Sequence, residues 1–327
     1  MTYARSLAFW TCCLKMGFEM KSLLFAFPIL AICAPSAMAE IQLTGDARLG
    51  IIDSFGIVGP KFTSRVRVKF KLFGETDGGL TFGASTRADL AEQANVGTAG
   101  TVFIAGSFGM LSMGDVEGAA ERAIGHVSGV GMTGIPISRF RTEYEPNKSA
   151  FIAVTNTFNG TRGGPSVLYQ IATGPTTFYA STTNPSAENH AYAFAASYDQ
   201  QNYRFAVGYE DIEQINFGHF TQVIVGATVN LGEMRVKANF GKLRSATGGS
   251  AMQHEISLDY TVGALTVTAF VSERGELYDA IPPAFSFQGY GIGAFFDLGN
   301  GATLAGGYVV DRTRNEHAFD LGVQMRF

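Results

Sequence analysis

The chain has 327 residues, of which only 16% are charged, with a net charge of −4, 40 Gly, 27 Phe and 12 Tyr. An acidic balance excludes a nucleic-acid-binding protein, which would need a basic face. All three cysteines (Cys12, Cys13, Cys33) precede residue 40, so the rest of the chain has no disulfide or thiol chemistry. The same part has no apolar run of the roughly 20 residues that a membrane helix needs, while its Gly and aromatic content suits short strands.

The first 39 residues read as a leader. Leu23 to Ala34 is a short apolar run, preceded by Lys21 and followed by Pro35-Ser-Ala-Met-Ala39. A basic start, a short apolar stretch and an Ala-x-Ala end make a secretory signal with cleavage after Ala39. Met20-Lys21-Ser22 is a natural start, so residues 1–19 are read as an upstream extension. Cleavage removes three basic residues and one acid, leaving 21 Lys+Arg against 27 Asp+Glu, a net −6.

From Ile41 the chain alternates. Ile41, Leu43, Ala47, Leu49 and Ile51 interleave with Gln42, Thr44, Asp46 and Arg48, which is the period of a strand with one apolar and one polar face. Residues 62–73 repeat the pattern, with Val66, Val68, Phe70 and Leu72 against Arg65, Arg67, Lys69 and Lys71. A turn at Glu75-Thr-Asp-Gly-Gly79 leads into 80–89, whose polar face carries Arg87 and Asp89. Residues 101–108 and 111–116 are expected to pair around Gly109-Met110.

The rhythm then breaks. Residues 117–165 form one long connection without a sustained period, and loops of that length in compact folds usually act. Residues 117–124 suit a turn or two of helix, and 151–155 a short strand. Alternation resumes at 166–173, 176–183, 191–198, 203–211, 220–229, 234–243, 252–261, 265–274, 286–297 and 303–311, with tight Gly/Asn/Asp turns between partners. The last eleven residues finish it: Phe319, Leu321, Val323, Met325 and Phe327 on one face, Asp320, Gly322, Gln324 and Arg326 on the other.

A half-apolar strand needs a partner on both edges, and about sixteen such strands close most simply on themselves. The even count and the alternation of short and long connections point to an all-β, closed antiparallel transmembrane barrel over residues 40–327. A soluble sandwich would hide its apolar faces in a core and would not carry cations in rows.

In a barrel those rows face the lumen, because Lys or Arg facing lipid near the midplane costs about 2–4 kcal/mol. Arg48, Arg65, Arg67, Lys69 and Arg87 thus form a candidate basic wall, with Arg48, Arg65, Arg67 and Arg87 expected near one level. The long connection carries Glu117, Glu121, Glu143 and Glu145, with Asp115 at its base. Folded inward as the third external loop, it would set carboxylates against guanidinium groups across a narrowed, field-bearing lumen. Nothing suggests catalysis, a cofactor or a metal. His126, His190, His219, His254 and His317 lack ligand spacing, and no Gly-x-Ser-x-Gly occurs.

The motifs Ile41-Gln-Leu-Thr-Gly-Asp-Ala-Arg48, Ser64-Arg-Val-Arg67, Gly79-Leu-Thr-Phe-Gly-Ala-Ser85, Thr101-Val-Phe-Ile-Ala-Gly-Ser-Phe-Gly109 and Leu111-Ser-Met-Gly-Asp115, with a terminal Phe327, resemble the bacterial general diffusion porins. The branch resembled is the Rhodobacter-type alphaproteobacterial one. The resemblance is strong over 41–118 and looser from 166 onward. It implies a sixteen-stranded homotrimer in the outer membrane, in contact with lipid and lipopolysaccharide. It also implies a third loop that forms an eyelet opposite a basic cluster at Arg48, Arg65, Arg67 and Arg87. The chain departs from that pattern in the loop, where Arg122, Arg139 and Arg141 mix with the carboxylates. The expectation is a passive pore for small hydrophilic solutes and ions, weakly selective and leaning to anions. The alternatives are a substrate-specific channel and an outer-membrane barrel enzyme.

Overall fold

The computed structural model describes residues 40–53, 59–91, 99–134, 166–183, 190–214, 218–246, 248–275, 287–313 and 315–327. Sixteen strands in chain order form one closed antiparallel barrel. The first three are β1 (Glu40–Asp53), β2 (Lys61–Glu75) and β3 (Thr81–Ala91). Next come β4 (Ala99–Gly106) and β5 (Gly109–Gly114), followed by the single described helix, α1 (Ala119–Ile124). The far half runs through β6 (Ser166–Thr173), β7 (Thr176–Thr182), β8 (His190–Asp199), β9 (Tyr203–Gln214) and β10 (Gly218–Leu231). It continues with β11 (Met234–Ser245), β12 (Ser250–Val262), β13 (Leu265–Arg274), β14 (Phe287–Gly299), β15 (Ala302–Asp311) and β16 (Glu316–Arg326).

Each strand pairs with its sequence neighbours, and β1 pairs with β16 from Asp46↔Arg326 to Asp53↔Phe319. The seam continues past the strand end, where Gly45 and Phe327 exchange backbone hydrogen bonds at 3.2 and 2.9 Å. The closing strand thereby satisfies both of its edges, as the alternation of its residues requires. One hairpin differs from expectation. The turn between β4 and β5 is at Ser107-Phe108, two residues before Gly109-Met110, and Gly109 opens β5 at φ 100°, a conformation that suits glycine.

Side chains segregate inside out. Ile41 is 69% exposed and Phe62 85%, whereas Glu210, Gln222 and Asn239 are 0% exposed. A band of exposed apolar side chains around a polar interior is what a bilayer selects. Aromatic residues mark both rims on the outer face: near the short turns Tyr203 stacks on Tyr198 and lies tilted against Phe205. Tyr308 against His317 lies toward the long connections. The short turns include Gly174-Pro175, Gly232-Glu233 and Gly263-Ala264, and they lie at the barrel end that also holds both ends of the sheet.

The interior is not uniformly wet. The described part of the connection after β5, residues 115–134, turns inward, and α1 packs on the inner faces of β7 to β10. Ala120, Ala123 and Ile124 meet Ile224, and Val116 and Ala119 meet Leu168 and Ala193. The helix falls within the span read as a turn or two of helix. The suggested strand at 151–155 and the leader lie outside the described residues.

Candidate constriction site

The basic wall is built by register. Arg48 on β1 stands directly opposite Arg65 on β2, and Arg67 opposite Asp46. Lys69 stands opposite both Thr44 and Arg87 on β3. All five predicted cations line one cavity of about 530 Å³, together with Asp46, Gln324 and Arg326. They do not share one level: Arg48 with Arg65, then Arg67, then Lys69 with Arg87 occupy three successive inward positions. The expectation of a single level ignored the residue-by-residue stagger between hairpins.

Like charges directly opposite each other repel. Asp46 offsets this from the next inward position on β1, with a carboxylate oxygen 2.6 Å from the Arg65 guanidinium and the other 3.9 Å from that of Arg67. Charge-assisted bonds of this kind are stronger than neutral ones. Neither Asp46 nor Arg326 was singled out from sequence as a site residue. The signal was there: Asp46 shares the polar face of Arg48, and closure of the sheet brings β16 beside β1.

The inward loop follows the inner wall around the barrel, and hydrogen bonds to the wall recur along it. The Ala119 amide donates to Ser181 Oγ on β7 at 2.8 Å. Arg204 on β9 donates twice to the Ala123 carbonyl, at 2.6 and 3.1 Å, and Asn239 on β11 donates to the Gly125 carbonyl at 3.1 Å. Ser128 binds β12 through Ser257 and Asp259. Met132 and Thr133 bind Asp320 on β16. Where the backbones come closest, the wall is glycine: a Cβ on Gly226 would stand 2.7 Å from Ile124, and one on Gly307 would stand 2.5 Å from the Gly131 amide.

The acidic side differs from the simple picture of a carboxylate row facing the wall. Glu117 is 3.3 Å from Arg122 within the loop. Glu121 is buried and lies 3.0 Å from His126. Asp115 is exposed at the loop's base, its amide bonded to Gly100. Glu143 and Glu145 lie outside the described residues, as do Arg139 and Arg141. Burial works to lower the His126 pKa, but the hydrogen bond and charge of Glu121, with Glu255 beyond, outweigh it. With Lys237 opposing them, they leave the imidazole above its ordinary value. A second cavity of about 680 Å³, lined by Arg122, Arg204, Gln170 and Tyr179, opens toward the short-turn end.

The arrangement can order water and ions in a field between a cationic wall and a loop of mixed charge. Residues 26–316 match a family described as Gram-negative porin. The chain is 31% identical over 315 residues to the porin of Rhodobacter capsulatus, spanning 88% of this chain and 100% of that protein. A porin structure refined at 1.8 Å superposes with a TM-score of 0.71 at 28% identity, over 88% of this chain and 100% of the other. A variant of Rh. blastica porin superposes at 0.66 with the same coverage and 22% identity, a likeness of fold.

Proposed function

We propose that in this chain, which belongs to the Gram-negative porin family, the cluster of Arg48, Arg65, Arg67, Lys69 and Arg87 is the cationic side of the selectivity zone. The protein is an outer-membrane diffusion channel and not an enzyme. The solutes are small, hydrophilic and passively driven. The carrying observation is one lumen cavity in which six cations (those five and Arg326) share a lining with Asp46. The loop's own Glu117 and Glu121 are engaged by Arg122 and His126. Weak selectivity leaning to anions follows from that distribution, because a positive lumen concentrates counter-ions.

Reversal potentials in planar bilayers test this. The unaltered channel is expected to favour chloride modestly over potassium, and the double substitution Arg65→Gln with Arg67→Gln to move the preference toward potassium. A strongly cation-selective unaltered channel would overturn the reading. Residues 1–39 are read as the cleaved leader, supported by their Lys21, apolar run and Ala-x-Ala end. A homotrimer bathed in lipid and lipopolysaccharide is supported by the family and by the exposed apolar band.

A further inference from the structure

We infer that Lys237 is the centre of a second anion site in the lumen, a row of donors on β9 to β12 that takes a small oxyanion such as phosphate on its way past the inward loop. The inference rests on reading the lumen as the diffusion path.

Register sets the row. Arg204 on β9 pairs with Thr228 on β10, Thr228 with Lys237 on β11, and Lys237 with Ser257 on β12. All four lie on inner faces, since their chain neighbours Phe205, Ile256 and Leu258 are exposed on the outer one. Adjacent strands about 4.8 Å apart thus present a guanidinium, a hydroxyl, an ammonium and a hydroxyl at one level. Arg204 also lines the cavity of about 680 Å³, which gives the row its access from the lumen.

Lys237 sets this row apart from an ordinary polar wall. It is 8% exposed, and its Nζ lies 3.0 Å from where a Cβ on Gly125 would be, under the inward loop. Among the described residues no carboxylate pairs with that ammonium and no oxygen accepts a hydrogen bond from it. Arg204 and Arg235 repel it and Glu255 attracts it. The other nearby carboxylates are engaged elsewhere. Asp199 is 3.2 Å from Arg204, and Asp259 accepts from the Ser128 and Thr268 hydroxyls.

A buried charge without a partner is costly, and a small anion relieves that cost. An oxyanion does so best, because it has oxygens for several donors at once where chloride has a single centre. Charge-assisted bonds from Lys237 and Arg204 would hold it. Ser257 Oγ accepts from the Ser128 amide at 3.0 Å, which leaves its own proton to give.

Position places the row in series with the basic wall. In the ring of sixteen strands β2 and β10 are eight steps apart, so the row faces the wall across the lumen. Lys237 is the fourth residue of β11 counted from its short turn, whereas Arg67 is the ninth of β2 counted from its own. The row therefore lies nearer the short-turn end, and an anion admitted past the wall meets it second.

Inorganic phosphate is the probe. Chloride current through the intact channel should fall to a plateau as phosphate is added. Lys237→Met, which keeps the length of the side chain but not its charge, should need about tenfold or more phosphate for the same fall. Lys237→Arg should keep most of the effect. In closed barrels, checked by heat-modifiable migration, phosphate should raise the unfolding midpoint of the unaltered protein and leave that of Lys237→Met where it was. A merely structural lysine would give no such difference.

Lysine acetylation read by mass spectrometry needs neither current nor a variant. Phosphate should slow it at Lys237 and not at Lys242, which stands between the outward-facing Val223 and Met252. An unaltered channel whose current ignores phosphate would overturn the proposal, as would equal sensitivity in Lys237→Met. Should that variant fail to close, equal slowing at the two lysines, or none at either, would overturn it. Protection of Lys237 in a protein that did not conduct would uphold the site and refute the diffusion path.

Discussion

His126 shows how a single side chain in the lumen can couple the loop to pH. Its imidazole lies 3.0 Å from the buried Glu121 and holds its proton above the ordinary range. A group whose folded pKa is raised contributes stability that is fully present below the unfolded value and is lost as pH rises through the folded one. Hydrogen-exchange protection of residues 119–128 should therefore fall in the unaltered protein as pH is raised from about 6 to 9, after correction for intrinsic exchange. In His126→Asn, protection should be lower at the acid end and nearly flat across the range. Equal profiles in the two proteins would show that the Glu121 contact contributes nothing to the loop.

At the scale of the strand, the two faces carry opposite demands. Val225 on β10 is 45% exposed on the outer face near mid-strand, among Val223 and Val207. Thr177 on β7 lines the lumen cavity near the short turns. Val225→Lys is expected to destabilise the refolded protein in vesicles by about 2–4 kcal/mol, and Thr177→Lys by less than about 1 kcal/mol. Urea titration of tryptophan-free barrels can follow this by tyrosine fluorescence, since Trp10 is the only Trp and precedes residue 40. Equal costs at the two positions would contradict the assignment of faces. The same logic explains the glycines at Gly226, Gly293 and Gly307: each sits on an inner face where the loop, not water, is the neighbour.

For the whole molecule, selectivity is a field property and salt should tune it. The Debye length falls from about 10 Å at 0.1 M to about 3 Å at 1 M salt. The chloride preference should accordingly shrink toward zero as the potassium chloride concentration is raised over that range. A preference that is independent of salt would point to a specific solute site in place of a screened wall.

Much of this architecture was legible before any coordinates. Strict alternation in residues 65–72 and 319–327 required strands with unlike faces, and rows of Arg and Lys on one of those faces required water on that side. Backbone groups that must all be paired then required closure. These are local constraints, and a chain writes them into successive residues. The stagger that spreads Arg48, Arg65, Arg67 and Arg87 over three inward positions was decided by hairpin register. The pairing of Arg65 with Asp46 came from proximity across a strand pair, and the seating of residues 131–133 on Asp320 came from closure of the last strand on the first. The last two join residues 19 and 188 apart, and sequence alone carries no distance between them until the sheet has closed.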